Sequence, residues 1–342
     1  MELIDASSPR FAQHQTFSPR YGWLKSAYDQ VCENPLIFTE DDAPLAFGVG
    51  KNMVPSIRFW AEATKVIQRS SAKGSKEFCA TRWGDIFFHE DGLDPYLEDP
   101  GTLWIFHWFL VAPPSIAPVW WLSFNSFPGV EFQREELENF VQIAIKEVKQ
   151  WEQDKDGNLK DFKPKETLER SIAKDISQLL HMYGAGRPKK LESLEDEINS
   201  PFRQLKIIER MEDTNGSIYR FNRGYKPGLS AELITFVIFD YLSRINRPTK
   251  NISIDSLIKD PGAPGSILKL TKQDLTDAIQ SNSSENNFWL QDSSAGIQQL
   301  YWEGQPEIYA YRTLEKHYGK EPRKSIPTSE LPADPSMQTE AA

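Results

Sequence analysis

From Thr102 to Val111 the chain reads Thr-Leu-Trp-Ile-Phe-His-Trp-Phe-Leu-Val, a helical stretch with apolar side chains on nearly every side. Such a helix has no face to give to water, so other elements must surround it. The run is broken at Pro113 and Pro114 and is too short to span a membrane. The rest of the chain must therefore build a shell around it. His107, inside the run, reads as a core histidine satisfied by neighbours and not as a ligand. Val119-Trp-Trp-Leu-Ser-Phe-Asn125 reads as an aromatic strand or buried helix turn. Aromatic runs can stack on bases, but here they read as more core.

At 342 residues the chain is long enough for two or three domains, and ten tryptophans argue for a folded protein. A formal net charge of -10 rules out a global basic field, so nucleic-acid contact must come from local patches. A tight, non-specific DNA-coating protein is thereby disfavoured. Cys32 and Cys79 form no metal-type spacing or disulfide framework and read as two buried thiols in a reducing compartment. The N-terminus lacks the basic and apolar regions of a signal peptide, so a cytoplasmic location without membrane association is expected.

Gly48 to Ile67 has the form of the turn and second helix of a helix-turn-helix. Thr39 and the acids after it can open the helix before the turn, Asn52 can cap the helix after it, and Pro55 falls in its first turn. Val54, Ile57, Ala61 and Thr64 recur at core spacing, while Lys51, Arg58 and Lys65 recur every seven residues on another stripe. Lys51, Asn52, Arg58 and Lys65 are thus DNA-contact candidates. The same spacing fits an ordinary amphipathic helix with solvated lysines. A preceding helix is expected to start at Ser18-Pro19, with Arg20 and Lys25 as further phosphate candidates. After a polar turn, Phe78 to Phe88 reads as extended, giving a winged arrangement whose wing carries Arg69, Lys73 and Lys76.

Next comes His89-Glu-Asp-Gly-Leu-Asp-Pro-Tyr-Leu-Glu-Asp-Pro, the most acidic short stretch beside strongly apolar sequence. Oxygen-rich clusters suit Mg or Mn, which can activate water and stabilise a leaving oxygen. Asp91, Asp94 and Glu98 are the candidate metal ligands. Asp94, Glu98 and Asp99 are the candidate catalytic carboxylates, with His89 a possible base. The competing reading is structural: Asp99-Pro100 has the form of a helix N-cap followed by proline, and Asp94-Pro95 of a turn.

Glu135 to Trp151 reads as an amphipathic helix, 154–161 as a linker, and Lys165 to Tyr183 as a helix leading to the basic loop Gly184 to Lys190. Glu195, Asp196 and Glu197 form a second acidic candidate cluster. A hairpin is expected around Asn215-Gly216, a helix capped by Ser230, and a closing hairpin from Phe288 to Trp302. The expected fold class is mainly α with small β hairpins (α+β). A winged helix-turn-helix (11–92) leads, followed by an apolar helical core region (93–153), a helix-rich C-terminal domain with hairpins (160–312) and a disordered tail (319–342).

Four stretches together resemble one bacterial family. They are His14-Gln-Thr-Phe-Ser-Pro-Arg-Tyr-Gly-Trp-Leu-Lys25, Gly48-Val-Gly-Lys-Asn-Met-Val54 with Ile57-Arg-Phe-Trp60, Asp94-Pro-Tyr-Leu-Glu-Asp-Pro-Gly-Thr-Leu-Trp104, and Leu194-Glu-Asp-Glu-Ile-Asn-Ser-Pro201. The family is the SspB-like one of DNA phosphorothioation defence clusters, long catalogued as a domain of unknown function. The resemblance runs from about residue 11 to residue 312. It implies an antiviral component that nicks one strand of double-stranded DNA, opening a position where sulfur replaces a non-bridging phosphate oxygen. The implied chemistry is metal-assisted phosphodiester hydrolysis. The implied partners are a cysteine desulfurase, an ATPase and an ATP-pyrophosphatase-like sulfur-transfer enzyme. No catalytic residue carries over; Lys51, Asn52 and Arg58 match as motif members. Because no nuclease motif is legible, a non-catalytic DNA-binding adaptor that positions the sulfur-transfer enzymes is the alternative.

Overall fold

The computed structural model describes residues 1–320 except 73, 154–158, 164–165, 186–199, 214–215, 224–225, 246–247, 285–286 and 294–295. Lys73, the acidic cluster Glu195, Asp196 and Glu197, most of the basic loop before it, and the tail from 321 onward lie outside the described residues.

The first long helix, α1 (Trp23–Glu33), begins after Gly22 and not at Ser18-Pro19. Ser18 is engaged elsewhere, its hydroxyl meeting His181 Nδ1 at 3.0 Å, and Trp60 Nε1 donates to the Phe17 carbonyl at 2.9 Å. The chain before Gly22 is thus held by long-range bonds that a helix could not make. His14 anchors it further. Its ring is fully buried, Nδ1 accepts from the Thr16 amide at 3.0 Å, and Nε2 donates to Asp175 at 2.7 Å. The Ala12 amide donates to the same carboxylate, whose pKa burial raises and His14 counters.

Helix α2 (Val54–Ala63) buries Val54, Ile57 and Ala61, with Thr64 just beyond its end, as their spacing requires. Its N-cap is Met53, not Asn52, with no side-chain cap, and Pro55 lies in the first turn. Thr39 ends a 3-10 turn, Ile37–Thr39, because its hydroxyl donates back to the Leu36 carbonyl instead of capping forward. Strands β1 (Ile67–Arg69) and β2 (Phe78–Ala80) pair antiparallel, so a hairpin does follow α2. The extended reading of Phe78–Phe88 holds only to Ala80. Thr81 then caps α3 (Arg82–Phe88), accepting from the Gly84 amide at 3.0 Å, and Gly84 becomes part of a helix instead of a break.

Helix α4 (Pro100–Val111) is buried from Gly101 to Val111, as its composition demands. Its polar atoms are all met by the shell. Trp104 Nε1 donates to the Pro227 carbonyl at 2.7 Å and Trp108 Nε1 to Asp240 at 2.6 Å. His107 is the core histidine expected: Nε2 donates to the Ile267 carbonyl at 3.1 Å and Nδ1 accepts from the Tyr183 hydroxyl at 2.7 Å. Burial pushes its pKa down to about 3. Val119 to Asn125 is helical, within α5 (Pro118–Asn125).

Strand β3 (Glu131–Gln133) runs into α6 (Arg134–Lys146), which stops short of Trp151. Trp151 instead lies on β4 (Gln150–Gln153), paired with β5 (Leu159–Asp161), and its Nε1 donates to the Ser7 carbonyl. Of the stretch expected as a linker, Leu159–Asp161 form β5, while 154–158 lie outside the described residues. Helix α7 (Leu168–Tyr183) follows, then β6 (Gly184–Ala185), β7 (Ile208–Asp213) and β8 (Gly216–Phe221), in a sheet of order β3-β8-β7-β6. Since β3 precedes the β4–β5 hairpin and β8 follows it, this sheet ties the two halves together. Ser230 caps α8 (Ala231–Arg244) as expected. Strand β9 (Asn251–Ser253), α9 (Ile254–Lys259) and α10 (Lys272–Ser283) lead to the closing hairpin of β10 (Phe288–Asp292) and β11 (Gln298–Trp302), which β9 joins as a third strand. A last helix, α11 (Pro306–Tyr318), lies along α8 with Tyr309 packed 4.9 Å from Phe239. The fold is thus α+β with small sheets, antiparallel except where β6 pairs parallel with β7. Against the expectation of two buried thiols, Cys32 on α1 is exposed and Cys79 on β2 half-buried. No helix of the described residues is long and apolar enough to cross a membrane.

Candidate functional site

The expected basic stripe does not lie along one helix. Lys51 precedes α2 and Lys65 follows it. Lys51 and Asn52 are exposed. Lys65 has a left-handed backbone, φ 59°, and its ammonium turns inward to donate to the Ala112 carbonyl at 2.9 Å and the Pro113 carbonyl at 3.3 Å. It therefore braces the end of α4. Arg58 stays on the surface side of α2, and neighbouring Arg69 and Arg10 add their repulsion to the burial that lowers its pKa, while Glu62 opposes it. Arg10 and Glu62 pair at 3.1 Å. Arg10, Arg58 and Arg69 are thus near enough to feel one another's charge, with Glu62 among them and Arg10 arriving from the N-terminal segment. Arg20 lies over the Trp23 ring at 5.5 Å, and Lys25 pairs with Asp29 one turn on.

The acidic loop joins α3 to α4, and its carboxylates have distinct tasks. Asp94 is buried. One of its oxygens accepts the Glu98 amide at 2.8 Å; the other accepts the Asp99 amide at 3.1 Å and the Thr102 hydroxyl at 2.5 Å. Tyr318 in turn donates to Thr102 at 2.7 Å. Its phenol is raised well above the ordinary range, mainly by burial. Asp94 is thus the internal brace of its loop. Asp99 caps α4, accepting the Gly101 amide at 2.7 Å, and its second oxygen receives His317 Nε2 at 2.8 Å. On the other side of that ring, His317 Nδ1 lies 2.9 Å from the Ser230 hydroxyl. Ser230 also accepts the Leu233 amide at 3.2 Å as the α8 cap. His89 Nδ1 accepts the Asp91 amide at 3.2 Å, while Asp91 and Glu98 are exposed.

Two glycines allow this convergence. A Cβ on Gly101 would stand 2.4 Å from Leu233 Cδ1 and 2.9 Å from the Gly228 carbonyl oxygen. One on Gly228, whose φ is +75°, would stand 2.7 Å from Pro100 Cβ. The start of α4 and the chain entering α8 can approach only because both side chains are absent. The last turn of α11 then lays His317 across Asp99 and Ser230. Sequence reasoning reached Asp99 as a catalytic candidate and Ser230 as a cap, but it missed His317, Tyr318 and Arg10. The signal for α11 was present: Pro306-Glu307 is an acidic, proline-led helix start.

The expected metal ligands do not come together as one set. Asp94 and Asp99 have committed oxygens, and among the described residues no group of three or more His, Cys, Asp or Glu could hold a metal ion. The carboxylates still facing solvent in this loop are Glu90, Asp91 and Glu98.

A family described as "Protein of unknown function (DUF4007)" matches residues 11–318. A structure described as "Magnesium ion-bound SspB crystal structure" is 32% identical with a TM-score of 0.84, covering 96% of this chain and 94% of that one. A second, "SspB crystal structure", has the same identity and coverage with a TM-score of 0.81. No curated protein matches. The chain belongs to the DUF4007 family and is similar to SspB in sequence and fold over nearly its whole length.

Proposed function

We propose that this protein is the DNA-nicking component of a DNA phosphorothioation system, acting by phosphodiester hydrolysis on one strand of a duplex. The observation that carries the reading is the likeness to SspB over 96% of this chain at 32% identity, with Arg10, Arg58 and Arg69, grouped around Glu62, as the candidate phosphate contacts. Guanidinium groups suit phosphate oxygens, which they can meet with two parallel hydrogen bonds. Likeness to SspB supports a role in a phosphorothioation system, and the magnesium named for one SspB structure is the reason to assay in Mg or Mn. The proposed partners are a cysteine desulfurase, an ATPase and an ATP-pyrophosphatase-like sulfur-transfer enzyme. A non-catalytic adaptor role is favoured by the committed Asp94, which leaves the loop without a preformed ligand set.

Plasmid relaxation in Mg²⁺ or Mn²⁺, with duplex binding followed against salt, tests this reading. Wild type is expected to convert supercoiled plasmid to open circle. Arg58→Ala/Arg69→Ala is expected to lower the salt slope of binding by about 2. Unchanged binding by the double variant would remove these arginines from the interface. Tight binding with no nicking in either metal would leave the adaptor.

A further inference from the structure

Ser230, His317 and Asp99 form a continuous hydrogen-bonded chain, and its bond directions admit one neutral arrangement. Nε2 carries the imidazole proton and donates it to Asp99 at 2.8 Å, so Nδ1 is left with a lone pair facing the Ser230 hydroxyl at 2.9 Å. The amide of Leu233 donates to a lone pair of Ser230 Oγ and leaves its proton free for Nδ1. Serine, imidazole and carboxylate thus stand in the order in which an imidazole takes a serine proton while a carboxylate holds its tautomer. The two ring nitrogens are exchanged relative to the most familiar form, but proton transfer needs only one acceptor nitrogen toward the hydroxyl and one donor toward the carboxylate. His317 is mostly buried, with a side-chain exposure of 13%, which fixes the ring; Ser230 remains half-exposed. The first amides of α8, those of Ala231 and Glu232, have no intrahelical partner and lie beside Ser230, where anionic oxygens are favoured. Lys316, next to His317, pairs with Glu232 at 3.7 Å, so the carboxylate nearest the start of α8 is countered by a cation.

We propose that Ser230 is a nucleophile directed at phosphorus, with His317 as its base and Asp99 as the positioning residue. That the phosphorus belongs to a DNA phosphodiester rests on the nicking reading; the reactivity of the hydroxyl does not. Ser230 Oγ bonds to phosphorus as its proton passes to His317 Nδ1. The bond from phosphorus to one deoxyribose oxygen breaks, and that oxygen takes the proton from Nδ1. Water then attacks the phosphoserine, giving its proton to Nδ1. The Ser230 oxygen leaves phosphorus and recovers that proton, releasing a terminal phosphate on the nicked strand.

The test is labelling of the full-length protein with a rhodamine fluorophosphonate, the modified residue being identified by peptide mass. Labelling at Ser230 is expected, absent in Ser230→Ala and slowed about 100-fold or more in His317→Gln. Asp99→Asn retains the helix cap but not the acceptor for Nε2. It is expected to slow labelling at least tenfold with an unchanged melting temperature, a combination that a merely structural role would not produce. Wild-type Ser230 left unmodified, at a probe concentration that labels a known serine hydrolase, would overturn the proposal. In parallel, nicking reactions are stopped in detergent and examined for a protein–DNA adduct. A Ser230→Ala protein that nicks at the wild-type rate would sink the covalent step while leaving nicking intact. Labelled Ser230 in a protein that never nicks would sustain the nucleophile and remove the DNA reading.

Discussion

His107 carries a polar side chain in the most apolar helix of the chain, and its environment has a measurable consequence. Burial holds its folded pKa near 3, against the ordinary imidazole value of about 6.5. Below pH 6.5 the unfolded chain takes up a proton there that the folded chain refuses until about pH 3. The stability this group contributes is therefore complete above pH 6.5 and lost as pH falls through that window. The loss amounts to about 1.4 kcal/mol per pH unit at most. Urea midpoints between pH 7 and pH 4 are expected to fall more steeply for wild type than for His107→Gln, whose amide can still meet Tyr183 and Ile267. Parallel slopes would contradict this. Asp94 and Lys65 teach the same lesson from the other side. Both looked available for external ligands, and both are engaged by the protein's own backbone.

Helix ends do most of the positioning in this molecule. Thr81, Asp99, Ser230, Ser253 and Thr271 each accept a backbone amide at the start of a helix, and two of those caps also face His317. Because α4 and α8 start side by side, their capping residues meet. The glycine pair makes that contact possible, so Gly228→Ala should loosen it. The alanine would have to adopt a left-handed backbone, costing about 1–2 kcal/mol, and its methyl would strike Pro100. A lowered melting temperature together with slower fluorophosphonate labelling of Ser230 is expected. A variant with wild-type stability and labelling would show that the approach of the two helix starts is not what holds the site.

The two halves of the chain share one sheet and one hydrophobic cluster that runs from Leu3 to Leu314. β3 lies before the 154–161 stretch and pairs with β8 beyond it, while α4 is enclosed by residues from both sides. Calorimetry is therefore expected to give a single unfolding transition. Two transitions, one assignable to the part before residue 154, would instead place a domain boundary there.

The central helix, the core histidine within it, the caps at Asp99 and Ser230 and the hairpins at Asn215-Gly216 and Phe288–Trp302 were legible from residue order. Each follows from local chemistry: apolar coverage, a side-chain oxygen within reach of the next amides, or a favoured turn. Family membership was legible too, through four short stretches. The start of α1, the helix in place of an extended segment after Ala80 and the pairing of Trp151 with a strand were not. The helix after Ala80 rests on the Thr81 cap, a local signal that went unread; for the other two a partner far along the chain outweighed local preference. The same holds for the convergence of Asp99, Ser230 and His317, which are separated by 131 and 87 positions (230 − 99 and 317 − 230). Spacing along a chain carries no record of which helix ends will meet; that was decided only when α4 was wrapped and its surroundings closed over it.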